Sequence, residues 1–426
     1  MNIKKPLVWA STLFFAEGIP HVVLVTLAVV MYLQLGMSDT QIAFYTGWLC
    51  LPWVLRPLYR PFIELYQTRR WWVLAMQMLL GSALAGVAFT LNGSFWVQGT
   101  MFFFLLMAFS STTYGIAAND YCRLEMGDED RSWYVGMRNT FYNIAIILGK
   151  GLLVPAAGIL QVLFRNQKIY TWSLIFFGLA GIFIAFWLYH GLVLPRQTLA
   201  EKHSAKVIRN GMHDACFAFR HSYSVKELTV FLLFLFFFCL PEGMLFKMSD
   251  TFLLRPGSAG GLGLSPQEYG LASGTVGVIG LITGGIVGRM LIRRNGLQRW
   301  LWLTACAVTL PKAVYVYLSY ALPENVWLVS ACIYAEQFGC GFGYAAFTAC
   351  ISHMDRGVGG KYCRDICKSI GYLGLMICGM MSGYVKDMLG FRRFFIVILM
   401  LCAVTFAMMW LIKTDIDFGK KTDEGR

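Results

Sequence analysis

Five ionisable side chains lie in the middle of long apolar runs, where a charge has no obvious solvent. They are Glu17, Lys150, Glu242, Lys312 and Glu336, and His21 follows Glu17 by four residues on the same helical face. An ionised group at the centre of a bilayer costs several kcal/mol unless it is paired or hydrated, so each is a candidate for handling an ion or a substrate. Two chemistries compete. In the first, Lys150 and Lys312 bind an anionic group of a substrate while Glu17, His21 or Glu242 carries a coupling proton, because burial disfavours the charged form of a carboxyl. In the second, acids and bases neutralise one another and hold one conformation together. Lys247 and Asp250, three residues apart, fit the second reading, and Glu336 is expected as a partner for a lysine. Glu17, Lys150 and Lys312, from three different runs, fit the first and are expected to point at one cavity. Tyr45, Trp48, Tyr142 and Tyr344 are candidates to stack against a sugar ring.

The elements that position these residues follow from the composition. Of 426 residues 57% are hydrophobic and only 14% charged, and the mean hydropathy is +0.59. A water-soluble chain would be nearer a quarter charged. The net charge of +13 is spread as short Lys/Arg clusters between apolar runs, which argues against nucleic acid as a partner. The 12 cysteines form no CxxC pair and no Cys/His metal spacing, so they read as packing residues. Neither a nucleophile elbow nor paired carboxylates of a soluble site is found. The Gly-rich segment 257–263 lacks the GK[ST] ending of a phosphate loop, so no enzyme, metal or cofactor is expected. No cleavable signal peptide is expected either, since the apolar stretch after Lys4 and Lys5 is long enough to span.

Runs of about 20 apolar residues cross the hydrocarbon core. Twelve are predicted, at 7–34, 40–60, 71–91, 99–121, 134–163, 169–194, 228–254, 266–292, 299–322, 325–352, 365–386 and 393–412. The fold class is therefore an all-α membrane protein. Its expected domains are an N-terminal six-helix bundle (1–194), a cytoplasmic linker (195–227), a C-terminal six-helix bundle (228–412) and a cytoplasmic tail (413–426). With both termini cytoplasmic, 27 of the 36 Lys and Arg fall inside, three of them at the connection after the fourth span. Only six fall outside, which satisfies the positive-inside bias. The connection at 386–393 runs against it. Asn119, Asp120 and Arg123, followed by Asp128, Glu129, Asp130 and Arg131, read as a solvated cytoplasmic face or a gate. The halves also repeat. Glu17-Gly18 recurs as Glu242-Gly243 at an offset of 225, and Leu35-Gly36-Met37-Ser38 recurs as Leu262-Gly263-Leu264-Ser265 at an offset of 227. A parallel repeat of two six-helix halves is a transporter pattern.

The connection after the second span carries the clearest motif: Arg56-Pro57-Leu58-Tyr59-Arg60-Pro61-Phe62-Ile63-Glu64-Leu65-Tyr66, then Arg69-Arg70-Trp71. It resembles the major facilitator loop signature in the form seen in AmpG-type muropeptide permeases. Glu64 stands for the usual Asp, and Leu65 replaces the usual Arg. Phe15-Ala16-Glu17-Gly18-Ile19-Pro20 is similar to the opening of the same family, and Arg289 and Arg293 echo the signature in the second half without its acid. The resemblance implies the major facilitator fold and a gating role for Arg56, Arg60, Glu64, Arg69, Arg70, Arg289 and Arg293. Fixing topology alone is the competing role for these arginines.

The expected activity is proton symport, by rocking of the two halves, of an anionic amino sugar or peptidoglycan fragment (anhydro-muropeptide or N-acetylmuramic type). Sialic acid or another organic anion is the close alternative. A transporter-like membrane receptor or scaffold, docking through the basic linker, is the alternative of a different class. The partners expected are the small anionic sugar, protons and the bilayer of a bacterial inner membrane, around a monomer.

Overall fold

The computed structural model of the chain describes residues 6–126, 131–196, 225–355 and 360–411, and among these residues there is no strand. This is what the apolar runs require, because a helix satisfies all its backbone polar groups within one segment. The helical stretches are α1 (6–34), α2 (39–65), α3 (Arg69–Thr90), α4 (Trp96–Met126), α5 (131–163) and α6 (Lys168–Val193), then α7 (225–254), α8 (266–295), α9 (297–321), α10 (Val326–Asp355), α11 (360–389) and α12 (391–411). Each predicted span overlaps one of them. By length and hydropathy alone, 8 continuous helices are suited to crossing a membrane. That number is smaller partly because 360–411 is one run interrupted only at Gly390, where φ is 71° and ψ 163°. A left-handed φ there suits glycine, and it makes the turn between α11 and α12.

Several stretches are broken where proline or polar sequence intervenes. α2 is interrupted at Leu49–Cys50, and α7 at Cys239, just ahead of Pro241. α9 tightens to a 3₁₀ turn at Leu310–Lys312, around Pro311. π-helical turns occur at Val23–Leu27, Gly149–Leu153 and Gly270–Gly277. Pro155 lacks the N–H that would continue the regular ladder past Gly151, a physical reason for the wide turn in α5.

Contacts divide the chain into two units: residues 1–37 with 48–208, and residues 38–47 with 209–426. The opening of α2 thus belongs with the second unit. In the first unit α3 packs along α4 and α6, and α1 along α5 and α4. Leu80, Leu84, Phe104, Trp172, Phe176 and Phe183 fill its interior. In the second, α8 packs along α10 and α7 along the 360–411 run, around a core that includes Phe231, Phe234, Phe238, Leu297 and Phe347.

The repeated tetrapeptide has a structural meaning. Gly36 and Gly263 both take left-handed φ, 89° and 75°. Ser38 and Ser265 then cap the following helix, Ser38 reciprocally with Gln41 and Ser265 with Glu268. A left-handed glycine followed by a capping box is the same turn built twice. The basic residues that run against the expected orientation are held by the protein. Arg255 and Lys386 pair with Asp39, Lys168 donates to the Gln34 carbonyl at 3.0 Å, and Arg392 to that of Ser319 at 3.2 Å. The acidic run Asp128–Asp130, most of the central linker and the tail lie outside the described residues.

Candidate functional site

In the second unit the 3₁₀ turn after Pro311 buries Lys312. The break before Pro241 places Glu242 in the first turn of the Leu240–Leu254 helix, where the helix dipole favours a carboxylate. Lys312 Nζ donates to Glu242 Oε2 at 2.5 Å and lies 3.9 Å from Glu336 Oε1. The Lys312 and Glu336 side chains are 1% exposed and that of Glu242 is 22% exposed. Gln337 Nε2 donates to Glu336 Oε2 at 2.8 Å, and Cys340 Sγ lies 3.5 Å from Glu242 Oε1. Lys312 is therefore committed to two protein carboxylates. Lys247 and Asp250 are also buried, further along α7.

In the first unit Glu17 is likewise buried, but its partner is not a lysine. Arg138 of α5 grips it with Nη2 2.9 Å from Oε1 and Nε 3.4 Å from Oε2. Asn119 Nδ2 lies 3.5 Å from Oε1, and Tyr134 donates to Asn119 Oδ1 at 2.8 Å. α1 reaches α5 this closely because of Gly18: a β-carbon there would stand 2.6 Å from that of Ala145. His21, one turn on from Glu17, lies between two rings, its own centroid 5.9 Å from Tyr142 and 6.0 Å from Trp53. Lys150 is half-buried in the π-helical turn of α5.

Glu17, Lys150 and Lys312, expected to point at one cavity, are divided between the two units, and Glu17 and Lys312 each have local partners. Glu17 is paired with Arg138 in the first unit, while Lys312 is paired within the second. A second buried network lies behind Glu17. His190 hydrogen-bonds Gln77 Nε2 at 2.7 Å through Nδ1 and Thr12 Oγ1 at 3.0 Å through Nε2, and Tyr114 donates to the Leu13 carbonyl at 2.8 Å. It ties the turn of α1 ahead of Glu17 to α3, α4 and α6.

The aromatic candidates divide. Tyr142 is beside His21, whereas Trp48 and Tyr344 are exposed and Tyr45 is half-buried against Phe44. In the signature loop, Arg60 donates to Glu64 at 3.0 Å and to Asp120 at 3.2 Å. Arg69 donates to the Ile63 carbonyl at 2.6 Å, and Arg70 to those of Gly191 (2.6 Å) and Leu194 (3.2 Å). These two cations sit on the carbonyl ends of α2 and α6, where positive charge is favoured. Arg56 is half-buried. Arg289 is exposed and donates to the Gly285 carbonyl at 3.1 Å, and Arg293 is exposed.

Sequence reasoning missed Arg138, Trp53, the His190 network and the Asp39 cluster, and read Asn119 as part of a solvated face or gate rather than as a neighbour of Glu17. Only Arg138 left a usable signal: it stands one turn before Tyr142 on the face of α5 that also carries Gly149. Among the described residues, no group of His, Cys, Asp and Glu is placed to hold a metal.

The sequence matches the Major Facilitator Superfamily over residues 10–360. It is similar to an uncharacterized protein of Haemophilus influenzae, 25% identical over 410 residues that cover 92% of this chain and 90% of that one. It is also similar to the anhydromuropeptide permease of Escherichia coli K12, 20% identical over 352 residues that cover 81% of this chain and 67% of the permease. The fold is that of the nucleoside transporter NupG, with a TM-score of 0.72 at 16% identity, covering 97% of this chain and 100% of NupG.

Proposed function

The chain belongs to the Major Facilitator Superfamily, and on that premise we propose that this transporter is a proton symporter importing an anionic amino sugar or peptidoglycan fragment across the bacterial inner membrane. Both termini would be cytoplasmic and the working unit a monomer. The observation that supports the coupling is the burial of two carboxyl groups beside Lys312. Glu242 and Glu336 lie 2.5 and 3.9 Å from its Nζ, in a site where two of the three side chains are 1% exposed. Burial disfavours the ionised form of a carboxyl, and two carboxyls that face one ammonium are placed to share a proton. Glu242, the more exposed acid, is the entry point for that proton.

The amino-sugar part of the reading rests on the similarity to the anhydromuropeptide permease. The basic residues of the apolar runs favour a carboxylated substrate equally in a sialic acid or another organic anion, which is the second reading.

Uptake of radiolabelled anhydro-N-acetylmuramic acid and sialic acid into cells expressing the protein tests both. Accumulation of the first that collapses with a protonophore, and is lost in Glu336→Gln, is the expected result. Accumulation that ignores the protonophore would remove the coupling, and uptake of sialic acid alone would move the substrate to the second reading.

A further inference from the structure

The seam between α1 and α5 has the form of a carboxylate-binding site already filled by a carboxylate. We propose that Arg138 is the residue that binds the anionic group of the transported molecule, with Glu17 as a built-in counter-ion that the substrate displaces. The proposal rests on the anionic-substrate reading above and names the residue that reads the anion.

Three observations support it. The first is the grip itself: Nη2 and Nε of Arg138 each face one oxygen of Glu17, at 2.9 and 3.4 Å. This is the two-pronged geometry by which guanidinium recognises carboxylates. The second is the difference in exposure. Glu17 is 9% exposed at the side chain while Arg138 is 39% exposed, so the acid occupies the inner side of the cation and the outer side is open. The grip on Glu17 uses Nε and Nη2 of Arg138 and not Nη1, which leaves donors for a second oxyanion. The third is what lies alongside. One turn on, Tyr142, His21 and Trp53 form a half-buried aromatic strip. Rings next to a guanidinium suit a molecule with a sugar ring and a carboxylate.

Charge balance links this exchange to a proton. When the incoming carboxylate takes Arg138, Glu17 loses its cation in a buried position, where Asn119 remains its nearest polar neighbour. A proton from the bath then binds the Glu17 carboxylate, and the site stays neutral before and after. The other titratable groups around Glu17 are Tyr114 and Cys122 on α4 and Tyr134 on α5. His21 is a turn away on α1, and His190 of α6 is engaged with Thr12. Arg138 is the cation among these groups that meets Glu17 directly. Because binding takes up a proton, lower pH favours binding of the carboxylate until the ligand itself protonates.

The test is binding to the purified full-length protein at pH 8 and pH 6. The ligands are anhydro-N-acetylmuramic acid, its methyl ester, sialic acid and gluconate, and size-exclusion profiles confirm that each variant is folded. Arg138→Gln is expected to weaken binding of the acids by at least about tenfold and to leave the ester unaffected, the loss of one charged hydrogen-bonded contact. Arg138→Lys, which keeps the charge without the fork and guards against misfolding of the first variant, should fall between. Glu17→Gln should bind the acids more tightly than wild type at pH 8 and lose the pH dependence.

Unchanged binding of the acids by both Arg138 variants would overturn the assignment and leave the importer reading intact. Weaker binding in Glu17→Gln at both pH values would overturn the displacement, as would failure of every acid to bind Glu17→Gln. Binding of sialic acid or gluconate through Arg138, with none of the muramic acid, would uphold Arg138 and remove the amino-sugar reading.

Discussion

The acid–base clusters of the two units are built to different counts. In the first, Glu17 meets one cation, Arg138, and the pair is neutral when both are ionised. In the second, Lys312 meets two carboxylates. A balanced pair with a half-open cation is suited to exchanging one anion for another. A buried lysine between two carboxyls, one of them partly exposed, is suited to holding a proton. Two halves related by a repeat, with Glu17 and Glu242 at equivalent places, thus put the same residue type to different use because their neighbours differ. A third arrangement appears at Asp39, 1% exposed at the side chain, which faces both Arg255 and Lys386, the latter also paired with Asp387.

The largest effect that would break this comparison is expected at Lys312. Lys312→Met removes the ammonium between Glu242 and Glu336 and should cost about 3–5 kcal/mol in stability, with complete loss of uptake. Thermal unfolding of the purified protein measures the first and radiolabelled uptake the second. Adding Glu242→Gln should restore part of the stability, and a double variant no better than the single one would mean that the trio is not the unit that matters. Asp39→Asn comes next, at about 2–3 kcal/mol, because it removes a buried carboxylate that two cations share, and the same melting experiment reads it.

Glu336→Gln should leave stability within about 1 kcal/mol, since the amide keeps the shape of the side chain and removes a buried charge. It should abolish accumulation against a gradient while substrate counterflow continues. Retained, protonophore-sensitive accumulation would move the proton elsewhere. Arg138→Gln should cost less stability than Lys312→Met, about 1–2 kcal/mol, because its partly exposed cation is better screened. The smallest change is expected for Arg69→Ala, which removes a cation from the carbonyl end of α2 and should lower the melting temperature by an amount equivalent to under about 1 kcal/mol.

The fold was largely legible in the sequence. An apolar run of about 20 residues has one stable form in hydrocarbon, and a left-handed glycine before a capping serine turns the chain whatever surrounds it. Prolines 241 and 311 marked where α7 and α9 break, and those breaks set Glu242 and Lys312 in place. Much less of the site was legible. Arg138 lies near the start of α5 and reads there as one more basic residue of the connection after the fourth span. Its place one turn before Tyr142 marks the face of α5 it shares, but does not indicate that it reaches Glu17, 121 residues earlier. His190 reads as an end-of-helix histidine, yet it is fully buried and joins α1 to α3.

The sequence by itself determined the helical class, the places of the apolar runs and the presence of charges in them. These depend on properties carried along one segment: its length, its hydropathy and its turn residues. Only the tertiary structure decided which charge faces which. Pairing depends on how each helix is rotated about its axis and how closely its neighbour approaches, as at Gly18. Those quantities arise from packing between segments distant in the chain, and no single segment encodes them.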